Sequence, residues 1–152
     1  MTTTFTEARD EINSLFFAKW KAETAAIVGY VPEVLWHNVQ SRDIPNSSKY
    51  WARVSQQAVL ESQTTLSTCE GKPGQKRYTA DGLVFVQIFA PKQLGNSAQF
   101  AGKLAEVARN AFRGKSTPGK VWFRNARIID IEPEDQFYRF NVVAEFQYDE
   151  LG

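Results

Sequence analysis

GLVFVQIFAPK (82–92), running into QLGNSAQFAGKLAEVARNAFRGK (93–115), decides the fold: it spells a central strand, a short break and an amphipathic helix. Leu83 to Phe89 is almost unbroken apolar chain. Val84, Val86 and Ile88 point one way, Leu83, Phe85 and Phe89 the other, and Gln87 is the only polar member. A strand apolar on both faces is expected inside a sheet and covered on both sides. Pro91 and Gly95 stop it. Asn96 or Ser97 is placed to cap the helix that follows. Phe100, Leu104, Val107, Ala108, Ala111 and Phe112 recur at three- and four-residue steps and form one buried stripe. Lys103, Glu106, Arg109, Asn110 and Arg113 take the remaining surface, and Gly114 supplies a left-handed stop.

Working outward, a helix is expected from about Thr6 to about Ala25. Thr4 and Glu7 have the spacing of a capping box, and Asp10 and Glu11 suit the positive end of the helix dipole. Ala8, Ile12, Leu15 and Phe16 follow one face, while Phe17 and Trp20 widen the apolar stripe beyond what a minimal core contact needs. Val34 to Asn38 reads as a short strand, and 41–49 as a polar loop. A long strand runs from Tyr50 to roughly Gln63, with a bulge or change of face near Gln57 because Val59 and Leu60 are both apolar. STCEGKPGQK (67–76) is turn chemistry throughout. After the central helix, GKSTPGK (114–120) makes a basic loop. Val121 to Ile131 and Phe137 to Tyr148 then form a hairpin closed by EPED (132–135). The expected whole is one domain over 1–152 of the α+β class, in the order α-β-β-β-α-β-β. It has a mostly antiparallel sheet of about five strands with two main helices packed against it.

Bulk properties narrow the function classes. A chain of 152 residues with 43% hydrophobic and 13% aromatic side chains is globular and large enough for a core of its own. Eighteen basic and seventeen acidic groups leave a net charge of +1. A binder that works by neutralising phosphates shows a clearer basic excess. The single Cys69 has no internal disulfide partner, which fits a reducing compartment. No run is long enough to span a bilayer, and MTTTFTEARDE lacks a secretory signal pattern, so synthesis in a cytoplasm is expected.

The residues that carry chemistry elsewhere are sparse here. His37 is the only histidine, without a second His or a nearby Cys to make a metal site, and reads as a strand residue at a surface edge. Cys69 sits in a flexible loop with Glu70 beside it, a poor platform for a nucleophile. Asp130, Glu132, Glu134 and Asp135 lack the ligand spacing of a calcium loop. GKSTPGK follows a helix instead of bridging strand to helix, so it is no phosphate loop. Lys72, Lys76, Arg77, Tyr78, Lys115 and Lys120, with Trp51 or Trp122 to stack on bases, sketch a nucleic-acid path, yet no single-strand-binding motif accompanies them. No catalytic residue, cofactor site or metal site is assigned.

The whole pattern resembles a family. A capped first helix and a long polar-aromatic strand precede R-Y-x-x-x-G-x-x-x-V-Q-I-F-x-P (Arg77 to Pro91). An Ala/Leu-rich helix ending F-R-G-K, then V-W-F-x-N-A-R-I and an aromatic last strand, complete it. This is similar to the tail terminator (tail completion) proteins of long-tailed bacteriophages. The resemblance implies an α+β subunit that assembles as a hexameric ring on the end of the tail tube, in solution or only on the tube. It implies that the ring stops tube polymerisation and offers the surface for head attachment, without enzymatic activity or cofactor. The implied partners are further copies of the chain, the tail tube protein, the head connector or neck protein, and DNA passing through the lumen without sequence recognition; no membrane is involved. The implied location is the head-proximal end of the virion tail. On this reading Phe17, Trp20, Trp51 and Trp122 are expected at subunit contacts. Lys72, Lys76 and Arg77, in a loop that orders on docking, are expected to face the tube or the lumen. The competing readings are a neck or head-completion connector and a small nucleic-acid-binding module.

Overall fold

Thr4 starts the first helix as its spacing predicts. Its hydroxyl accepts from the Glu7 amide at 3.2 Å, and the Glu7 carboxylate accepts from the Thr4 amide at 3.1 Å, closing a reciprocal capping box. The computed structural model describes residues 2–37, 48–65, 74–134 and 137–152. Helix α1 spans Phe5–Glu23, and a four-residue α2 (Ala25–Val28) follows that the sequence pattern does not foresee. The break between them lies at Thr24, whose buried hydroxyl donates back to the Trp20 carbonyl at 2.6 Å. Next come β1 (Glu33–Trp36), β2 (Trp51–Gln63), β3 (Arg77–Pro91), α3 (Ser97–Phe112), β4 (Trp122–Glu134) and β5 (Phe137–Leu151). The expected α+β architecture is therefore the observed one, with α2 added. The loop expected at 41–49 lies mostly outside the described residues, and 67–76 almost entirely so. None of the helices among the described residues is long and apolar enough to cross a membrane.

The five strands form one sheet in the order β1-β2-β3-β5-β4, with β3 at its centre. Only β1 and β2 run parallel; β2–β3, β3–β5 and β5–β4 are antiparallel. The bulge expected near Gln57 falls between Ala58 and Leu60. Strand β4 runs to Glu134, past the expected end at Ile131. The cap of α3 differs in detail from expectation: Asn96 holds the position with a left-handed φ of 59°, but its side chain makes no capping bond. Gly114 turns the chain after α3 with φ 67°, as expected.

Both long helices pack on one face of the sheet. Ala8, Ile12, Phe16 and Trp20 of α1 join Leu104, Ala108 and Phe112 of α3, over Val54, Val84, Val86, Ile88, Val142 and Ala144. Phe16 stacks on Phe112 with centroids 6.0 Å apart, and Phe112 leans on Phe123 at 5.1 Å. The loop 114–120 is tied down by Glu11, which accepts from the Thr117 hydroxyl at 2.6 Å and from the Gly119 amide at 2.9 Å. Glu11 thus does a tertiary job beyond favouring the helix dipole. Among the described residues the opposite face of the sheet has no helix on it. Coverage of β3 on both sides, expected from its composition, is corrected: Val84, Val86 and Ile88 are fully buried, while Leu83, Phe85 and Gln87 remain half-buried.

Gly82, the glycine of the Arg77–Pro91 tract, is required by packing. A Cβ there would run into the Phe146 ring and the Gln57 carbonyl on the neighbouring strands. Gly82→Ala is expected to cost about 1–3 kcal/mol through overpacking. Thermal unfolding by circular dichroism checks this, at about 2–4 °C lost per kcal/mol. Glu11→Ala is expected to cost about 1–2 kcal/mol, because it leaves the Gly119 amide and the Thr117 hydroxyl without their acceptor. An unchanged melting midpoint would show that the loop 114–120 is held by other contacts.

Candidate functional site

Alternation along β3 sends its odd-numbered side chains to the face that none of the described helices covers, and the register extends them into rows across the sheet. One row runs Trp51, Phe89, Arg139, Ile131; the next, Arg53, Gln87, Asn141, Ile129. Ser55, Phe85, Val143 and Arg127 follow, then Gln57, Leu83, Glu145 and Arg124. Beyond the bulge come Leu60, Asp81, Gln147 and Trp122. The face is therefore a mixed one, in which apolar side chains are interleaved with four arginines, two carboxylates and neutral polar groups.

At one end Trp51 and Phe89 stack face to face, 3.9 Å apart and 3° from parallel, with Phe137 edge-on to both at 6.0 Å. Guanidinium groups lie over this cluster: Arg53 is 5.6 Å from the Trp51 ring and 5.7 Å from Phe89, and Arg139 is 5.0 Å from Phe89. Trp51 and Phe89 consequently keep only 7% and 4% of their surface. At the other end a charge network crosses the strands. Arg124 meets Asp81 at 3.5 Å and Glu145 at 3.6 Å, Arg127 meets Glu145 at 3.6 Å, and the Asn125 amide donates to Glu145 at 2.7 Å. The indole N–H of Trp51 and the side-chain oxygen of Asn141 are sealed from solvent without a hydrogen-bond partner among the described residues. A native subunit seldom leaves such groups unpaired.

The β4 edge of the sheet, and the part of β2 that extends past its pairing with β1, are irregular. Strand β2 is bulged at Val59, and β4 is bulged between Arg124 and Arg127 and again between Ile131 and Glu134, with Asn125 at φ 54°. Bulges are how edges resist strand addition.

The residues singled out from sequence are not brought together. Trp20 has no accessible surface: it is a core residue whose indole donates to the Pro32 carbonyl at 3.0 Å. Trp51 lies under Arg53, so neither of these two tryptophans offers area to a neighbouring subunit. Phe17 is exposed at 37% on the helix side, edge-on to Trp36 at 5.8 Å. Trp122, exposed at 61%, stands at the far end of the open face. Lys72 and Cys69 lie outside the described residues. Lys76 exchanges backbone hydrogen bonds with Gly152 at 2.9 and 3.0 Å. Arg77 begins β3, pairs with Asp149 at 3.9 Å, and shares a shallow cleft of about 250 Å³ with Lys120, Trp122 and Tyr148. Arg53, Arg139, Phe137 and Leu60 were not singled out as site residues. The signal available was β3 itself, whose odd positions Leu83, Phe85 and Phe89 are large and apolar although they share their face with Gln87.

On the helix side, beyond the first turn of α1, two carboxylates share the surface with Arg9, whose guanidinium lies 4.5 Å from the Phe5 ring. Glu61, Tyr78 and Glu150 line a shallow depression. The Tyr148 phenol nearby is pushed above its usual pKa, first by burial and then by Glu150 and Glu61, with Arg9 acting in the opposite sense. His37 sits just past β1, with its Nδ1 accepting from the Gln56 amide at 3.3 Å and facing Arg9 at 3.5 Å. No group of three or more His, Cys, Asp or Glu side chains able to hold a metal ion occurs among the described residues. Asp130 and Glu132 are exposed.

No protein-family model matches the chain, and no curated protein matches it. Among solved structures it is similar to a protein designated only by a sequence identifier, at 17% identity and a TM-score of 0.59, over 92% of this chain and 94% of that one. It is also similar to a chain from the virion of a native gene transfer agent (GTA) particle, at 15% identity and a TM-score of 0.49, over 96% and 99%. The first likeness is one of fold and spans nearly the whole of both chains.

If Arg53 shields the aromatic cluster, Arg53→Ala opens it. In a Trp122→Phe background, acrylamide quenching of tryptophan fluorescence is expected to rise, with a stability loss of about 0.5–1 kcal/mol. Unchanged quenching would place the shield elsewhere.

Proposed function

We propose that the protein is a structural component of a long-tailed phage-like virion, one that caps the tail tube as a ring. In this reading it stops tube polymerisation and presents the surface to which the head attaches. The ring is hexameric, as in the tail terminator proteins that the sequence resembles. Its partners are copies of itself, the tail tube protein and the head connector or neck protein. DNA passes through its lumen without sequence recognition, at the head-proximal end of the tail.

One observation carries the reading: among the described residues, the sheet built around the Arg77–Pro91 tract is packed under helices on one side and carries only its own side chains on the other. Such a subunit is suited to an assembly, since exposed apolar side chains on a face of this kind mark an interaction surface. What the face offers is contact area instead of a pocket for turnover, and the assigned role is accordingly that of a non-enzymatic building block. Trp122 belongs to the subunit contacts in this scheme, with Phe17 on the other side. Lys76 and Arg77, together with Lys72, face the tube or the lumen.

Mass in solution by light scattering, repeated with purified tail tubes and followed by electron microscopy of tube ends, tests the reading. A hexamer alone, or rings found only on tube tips, is the expected outcome. A monomer that ignores tubes would overturn it.

A further inference from the structure

The open face has an area and a charge that define what fits it. At strand spacings of about 4.8 Å and about 3.3 Å per residue, the rows that β2, β3, β5 and β4 share, from Trp51 to Trp122, present a patch of roughly 26 by 19 Å. That is about 500 Å², the size of a weak, transient protein contact. Between the Trp51 row and the Trp122 row the face carries Arg53, Arg124 and Arg127 against two carboxylates, Asp81 and Glu145, and both carboxylates are already engaged by Arg124 or Arg127. Among these groups the cations exceed the anions by one, and the excess falls on Arg53 at the aromatic end.

The surface of opposite character is on the other side of the same sheet. Glu61 on β2 and Glu150 on β5 flank Tyr78 there. Glu7 lies at the first turn of α1, which is held beside β5 by a hydrogen bond from the Thr3 amide to the Asp149 carbonyl at 2.9 Å. Phe5 and Tyr78 add exposed aromatic surface to this acidic rim. The bulges of β4, and of β2 past its pairing with β1, argue against joining copies edge to edge through those stretches. Two open faces pressed together would set arginines against arginines, a like-charge contact that costs affinity.

We propose that a second copy of this chain seats its acidic helix-side rim (Glu7, Glu61 and Glu150, with Phe5 and Tyr78) on the basic open sheet face, so that copies associate head to tail. This rests on the ring reading above and says which two surfaces make the ring. A head-to-tail contact of this kind closes into a ring when its rotation permits. The incoming copy supplies a second layer over the half-buried Leu83 and Phe85.

Arg53→Glu and Glu61→Lys test it, since both residues are exposed and neither is part of the core. Folding of each variant is verified by its circular dichroism melt, and assembly is scored by light scattering alone and on tail tubes. Each variant by itself is expected to lose association by about tenfold or more, the scale of a close interfacial charge pair. An equimolar mixture is expected to recover it, because each variant then offers the other a complementary surface. Wild-type association should also weaken as salt is raised. Variants that assemble like wild type, or a mixture that recovers nothing, would overturn the assignment of surfaces while leaving the ring intact. A wild-type chain that assembles neither alone nor on tubes would remove the ring reading and this inference together.

Discussion

Strand β3 has two apolar faces to bury, and the described helices cover one. The connection from β3 to β4 runs through α3 and passes over β5, which is inserted between them. Helix α3 is thereby laid across β3 and β5. Helix α1 joins the same layer through the stacking of Phe16 on Phe112 and the burial of Trp20. The buried apolar residues of both helices are spent there, with Phe5 and Phe17 left at the surface. Leu83, Phe85 and Phe89 are left to whatever their own strand neighbours can supply, and the rest of the structure reads as a response to that shortage.

The response is local and polar. Arg53 and Arg139 lie across the Trp51–Phe89 stack, where their flat guanidinium groups hide ring surface while staying wet. Arg124, Arg127, Asp81 and Glu145 form a cross-strand network over the other end. Each exposed pair stabilises little by itself, and the network's larger effect is to keep a greasy surface hydrated. Such a covering is incomplete: it leaves Leu60 and Trp122 exposed at 57% and 61%, and it leaves the Trp51 indole N–H unpaired.

Much of the fold was legible because it rests on short-range rules. The capping box at Thr4 and Glu7, the bulge near Gln57, the stripe of α3 and the left-handed Gly114 each follow from a few neighbouring residues. What escaped depends on partners distant in sequence. Phe17 and Trp20 are three positions apart on one helix, and their composition alone does not say that Trp20 turns inward to meet the Pro32 carbonyl while Phe17 stays outside. Trp51 alternates with Arg53 along β2, so it reads as a surface aromatic until the register sets Phe89 beside it and both guanidinium groups above. Glu11 reads as a dipole partner until the chain returns with Thr117 and Gly119, more than a hundred residues later. The period of β3 announced two covered faces, and only the tertiary arrangement reveals that, among the described residues, helices cover one of them.

That one-sided cover bears on when assembly occurs. A wholly apolar open face would drive association at once, and in any register. The arginine covering must be displaced or re-paired before a neighbour seats, which weakens each contact and makes it selective for an acidic complement. Contacts of that strength hold a ring poorly in dilute solution. They hold it well once a template places several copies side by side, since each later contact then forms at a high effective concentration. If the chain caps a tail tube as proposed, the half-solvated face is what keeps subunits apart until the tube end brings them together.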